Sequence, residues 1–155
     1  MGHSKKKPKI SNEPQNIINT TNIEKVNQKL IISYEHLDLN NKKYSMDSIT
    51  DNREKINYYN DYLKKIKEYS ELENFKKDIK GRYADRNHIH PIDWNDTRIR
   101  EKSFTNLDSM LMEQIKGDCW QLGINNHSFR IHGFFISNVF YVVWLDPNHE
   151  LYRRK

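Results

Sequence analysis

Cysteine is nearly missing from this chain: Cys119 is the single one in 155 residues. No disulfide can form within the molecule, so its stability has to come from packing, and a reducing compartment suits it. Beside Trp120 in an expected strand, that thiol reads as buried and inert rather than nucleophilic. Long apolar runs are missing too. None approaches the roughly 18 residues that span a bilayer. The N-terminus lacks the apolar core of a secretory signal, and Lys6 stands where an N-myristoylation motif carries Ser or Thr. These absences point to a cytosolic protein without membrane contact. No internal repeat is visible.

What is present is charge and aromatic carbon. Charged residues make up 30% and aromatic residues 12% of the chain, against 35% hydrophobic residues and a mean hydropathy of −0.99. That balance supports one domain with a modest core. The net charge of +5 is concentrated at one end. Lys5, Lys6, Lys7 and Lys9 stand in a stretch without acids, so the remainder is nearly neutral. Residues 1–27, rich in Lys, Asn, Ser and Thr, are expected to form a mobile basic tail ahead of a single α+β domain at 28–155. The K-K-K-P-K run reads as a solubilising segment, with phosphate contact or a transport signal as the alternatives.

The domain opens with an expected strand at Lys29–Leu39. Leu30, Ile32, Tyr34 and His36 share one face there, and the polar second face suggests an outer place in a sheet. Asp51 or Thr50 caps an expected helix to about Tyr69, with Ile56, Tyr59, Leu63 and Ile66 as its apolar stripe and Tyr62 widening it. Ser70 with Glu73 resembles a capping box for a second helix through Leu72, Phe75 and Ile79, which Gly81 would end. After an irregular stretch and a short helix near Leu107–Met112 come three strands, Trp120–Ile124, Ser128–Ile136 and Val139–Asp146. The last is apolar in both registers, as a strand covered on both faces is. Asp146-Pro147-Asn148-His149 makes a type I turn into Glu150–Tyr152. The expected fold is therefore α+β: a helical hairpin packed on one face of a small, mostly antiparallel sheet of about four strands.

Two groups of residues can carry chemistry. The first is S-F-R-I-H-G (128–133), F-Y-V-V-W-L (140–145) and H-E-L-Y-R-R (149–154). Together with the order of strand, helical pair and C-terminal meander, these segments resemble the RelE/ParE toxin superfamily. The resemblance implies a ribosome-dependent endoribonuclease, cleavage of RNA by its own 2′-hydroxyl, and an antitoxin or other protein partner. On that reading Arg130 is the cation for the pentacovalent phosphate and His132, two residues on, shares its face. His149 is the acid, Tyr152 stacks on a base, and Arg153 is a binding residue. An imidazole pair suits such work because it titrates near neutrality. Each residue also has a plain structural reading: Arg130 as a carboxylate's partner, His132 in the core, His149 capping its turn, Tyr152 closing the core.

The second group is H-I-H-P-I-D-W, in which His88, His90, Asp93 and Trp94 lie on a long polar connection at 82–104. An ordered loop is its simplest reading, with Pro91 stiffening it and Trp94 anchoring it. A partner contact is the functional alternative. His88 and His90 with Asp93 or Asp96 form only a weak zinc pattern, so no metal site and no cofactor is assigned. A non-enzymatic module of a mobile element or defence system, contacting RNA or protein through this connection, is the competing function.

Overall fold

Alternating apolar side chains in the last third of the chain form three consecutive antiparallel strands. The computed structural model describes residues 28–96 and 101–152; the expected tail at 1–27 and Arg153 lie outside them. The strands are β1 (Ile31–Ser33), β2 (His90–Pro91), β3 (Cys119–Gly123), β4 (Arg130–Ile136) and β5 (Val139–Asp146). They form one mixed sheet in the order β1-β5-β4-β3-β2, in which only the β1–β5 pair is parallel. The first strand takes the outer place that its polar second face suggests, although it is only three residues long. The sheet has five strands because β2, two residues from the polar connection, adds to its other edge.

The helices are α1 (Asn52–Glu71), α2 (Phe75–Asp78), α3 (Gly81–Arg86) and α4 (Ser109–Ile115). Asp51 caps α1, its side chain accepting from the Glu54 amide. The second arm of the expected hairpin is in two short pieces. Ser70 donates back to the Lys67 carbonyl instead of opening a helix, and Asn74 is the residue that caps α2. Gly81 opens α3, where its φ of +53° uses the freedom of a residue without Cβ.

The buried face of α1 differs from the expected stripe. Ile56, Tyr59 and Leu63 are exposed, whereas Tyr62 and Tyr69 are buried and Tyr58 and Ile66 pack beside them. Tyrosine wins because its ring enters the core while its hydroxyl finds a partner. Tyr69 donates to the Gly123 carbonyl at 2.5 Å, Tyr62 meets Tyr34, and Tyr58 meets Ser128. This helix covers the sheet face made by Leu122, Ile131, Phe135, Phe140 and Val142.

The opposite face is also covered, by loops and α4 rather than by the hairpin. Tyr44, Ile92, Trp94, Phe104, Ile115 and Leu151 pack there against Phe134, Val143 and Trp144. Full burial of each such aliphatic or aromatic side chain is worth roughly 1.5–3 kcal/mol. Cys119 joins this layer as a buried free thiol whose Sγ donates to the Ile115 carbonyl. Burial pushes its pKa up to about 11, which keeps it protonated and inert.

Candidate active site

The second face is aromatic over most of its area and polar at one end. On β4, Arg130 and His132 point to this face, opposite Asp146 and Trp144 of β5 and opposite Gly123 and Gln121 of β3. A bulge follows at His132/Gly133. A Cβ on Gly133 would meet the Tyr141 carbonyl oxygen at 2.0 Å, so the close approach at the bulge requires glycine.

Asp146 organises this polar end. Its Oδ2 lies 3.0 Å from His132 Nε2, its Oδ1 accepts from the Glu150 amide at 2.7 Å, and Oδ2 also accepts from the Leu151 amide. The carboxylate thus fixes the turn that carries His149. Arg130 is 2% exposed, and its guanidinium donates to the carbonyls of Asn125, His127 and Phe129. It pins the β3–β4 loop from inside. Neither Arg130 nor His132 lies on the surface, and His132 is the hydrogen-bonded core residue that its apolar neighbours suggested.

The pairing of β2 with β3 brings the two groups of candidate residues together. His90 lies opposite Gln121, which in turn lies opposite His132. The Gln121 amide donates to the His88 carbonyl at 3.2 Å and meets His90 Nε2 at 3.0 Å. His90 Nδ1 faces the Pro91 carbonyl at 2.8 Å. Donation to that carbonyl puts the proton on Nδ1, so Nε2 accepts from Gln121 and both ring nitrogens are engaged. The His90 ring packs edge-on against Tyr152 with centroids 5.1 Å apart, and Tyr152 is 6.2 Å from the His149 ring.

His88 and His149 differ from the other two histidines. Among the described residues neither ring has a hydrogen-bond partner, and both are partly exposed. Both also have left-handed backbone, with φ of 52° and 55°. A side-chain-bearing residue pays on the order of 1 kcal/mol or more for that conformation. Asp93 contributes a backbone contact to Tyr152 and accepts from the Asn95 amide. Trp94 is buried against Phe104 and Trp144, as an anchor should be. Among the described residues, no group of three or more His, Cys, Asp and Glu side chains is arranged to hold a metal ion.

Over residues 33–155 the chain matches the family described as Uncharacterised protein UU032. It belongs to that family. No curated protein and no solved structure matches it.

In this UU032 family member the site's electrostatics follow first from burial and then, for His149 and His88, from the charge of Arg130. Burial and then the charge of Arg130 lower His149 to a pKa of about 4, with Asp146 opposing and His132 and His88 adding to the effect. Burial first and Arg130 next also lower His88. His90 is lowered mainly by burial, against the opposing Pro91 carbonyl. Tyr152 is pushed up to about 12 by burial, while the Asp93 backbone pulls the other way. At neutral pH the site therefore presents neutral imidazoles that can take a proton and a phenol that holds one. Sequence reasoning missed Gln121 and the second role of Asp146. The one available signal for Gln121 was an amide between Trp120 and Leu122 in a strand otherwise destined for burial.

Proposed function

We propose that this protein is a RelE/ParE-like RNA-acting endoribonuclease that works by acid–base chemistry at the 2′-hydroxyl. The observation that carries this reading is the His149 imidazole, which has no hydrogen-bond partner among the described residues and lies with its ring 6.2 Å from that of Tyr152. His149, neutral at physiological pH, takes the 2′-hydroxyl proton as the 2′-oxygen attacks phosphorus. The bond from phosphorus to the 5′-oxygen breaks, and Tyr152 returns a proton to that oxygen. The products are a 2′,3′-cyclic phosphate and a 5′-hydroxyl. Arg130 contributes field from beneath rather than direct contact, because its NH1 and NH2 groups serve backbone carbonyls. The resemblance of the C-terminal segments to RelE/ParE toxins supports the same chemistry.

The test is incubation of RNA with purified protein, with and without ribosomes, with end-group analysis of the products. Wild type should cleave, and His149→Ala and Tyr152→Phe should each lose about a hundredfold in rate, the scale of a positioned acid or base. Full activity in both folded variants would overturn the assignment. The burial of Arg130 and His132 in the fold favours a second reading, a non-enzymatic module that binds RNA or a protein partner through residues 82–104. Retained RNA binding with no cleavage under any of these conditions decides for it.

A further inference from the structure

Beside the histidine site a cavity of about 850 Å³ opens between the connection after β2 and helix α4. Its size is that of small-molecule sites in general. Ile92, Trp94, Phe104, Leu107 and Met112 give it apolar walls, and Asn95, Ser103, Thr105 and Ser109 put amide and hydroxyl groups around the rim. Lys102 and Lys116 bring positive charge, matched by Asp93 and Glu113. A lipid or aliphatic ligand would leave this polar rim unpaired, at a cost for each desolvated group. A nucleobase uses both parts: its faces lie on apolar walls, its edge exchanges hydrogen bonds with hydroxyls, amides and carboxylates, and its phosphate meets lysine.

We infer that this cavity is a nucleobase pocket, holding a base of the RNA whose phosphodiester reacts at His149 and Tyr152. The inference rests on the functional reading above and deepens it. Asp93 ties the two places together. It lines the cavity, and its backbone contacts Tyr152, whose ring packs beside His90 and His149.

The experiment is calorimetric titration of the whole protein with the four nucleoside 3′-monophosphates, with ribose 5-phosphate and inorganic phosphate as controls. At least one nucleotide should bind one-to-one, and more than tenfold tighter than either control. Ser109→Trp, which fills the rim from an exposed position, should weaken that binding at least tenfold. Lys116→Glu, a surface change that cannot unfold the core, should weaken it as well. Absence of nucleotide binding, or binding indifferent to both substitutions, overturns the pocket. Nucleotide binding without any RNA cleavage overturns the endoribonuclease and leaves the pocket standing. Cleavage whose sequence preference is the same in wild type and Ser109→Trp does the reverse.

Discussion

His132 Nε2 lies 3.0 Å from Asp146 Oδ2, and both side chains are fully buried. A buried pair of this kind is expensive to break, because the surviving partner keeps its desolvation cost and loses its compensation. Asp146→Asn should cost about 1–3 kcal/mol on that account. The substitution also confronts the Glu150 and Leu151 amides with a weaker acceptor. Burial by itself would raise the Asp146 carboxyl. The His132 hydrogen bond and charge, with the two turn amides, outweigh burial and hold it below the ordinary range. Its folded value being the lower one, the carboxylate's contribution is fully present above the unfolded pKa of about 3.9 and is lost as pH falls through the folded value. Urea unfolding across acidic pH should show this slope in wild type and not in Asp146→Asn. Parallel profiles would remove Asp146 as its source.

His149 should titrate with a midpoint near 4. The unfolded chain takes up that proton near the ordinary value of about 6.5. Stability should therefore decline as pH drops from there towards 4, and the contribution is complete above it. The imidazole Cε1–H resonance, followed by NMR, reports the midpoint directly. A normal midpoint would mean that the ring is neither desolvated nor within the field of Arg130.

Gly123→Ala should be poorly tolerated. A Cβ there would stand 2.1 Å from the Asn87 carbonyl oxygen, in the segment leading into His88. The collision should cost about 1–3 kcal/mol or more and displace residues 87–88. Thermal unfolding gives the first quantity and the His88 ring resonances give the second. Unmoved resonances in a variant of wild-type stability would show that the strand edge yields freely.

Gln121→Ala removes the donor that serves both the His88 carbonyl and His90 Nε2. Both groups are part-buried, so leaving them unpaired costs about 1 kcal/mol or more. The change should also free the His90 ring from Tyr152, visible as altered ring-current shifts. Its cleavage rate should fall further than its stability alone accounts for.

Much of the fold was legible because it rests on local chemistry. The alternation at 119–146 gave three strands close to their observed bounds, and Asp51 gave the start of α1. The buried face of that helix was not legible from aliphatic spacing. Ile56 and Leu63 match the period of a core stripe, but the partners of the Tyr58, Tyr62 and Tyr69 hydroxyls lie far away in sequence. The site was half legible for the same reason. Arg130, His132, His149 and Tyr152 could be grouped because two neighbouring strands and a turn hold them. Their union with His88 and His90 depends on β2 pairing with β3, and a two-residue strand leaves no periodic trace.

The parallel pairing of β1 with β5 bears on how the protein is made. β3, β4 and β5 are joined by short loops and can assemble as soon as they exist. β1 cannot, because its partner is the last strand of the sheet, and the Asn138 side chain that reaches the Lys29 carbonyl lies 109 positions along the chain. A ribosome therefore releases Ile31–Ser33 about a hundred residues ahead of their neighbour. Throughout that interval this strand waits unpaired. Its three-residue length and polar second face limit what else it can stick to in the meantime.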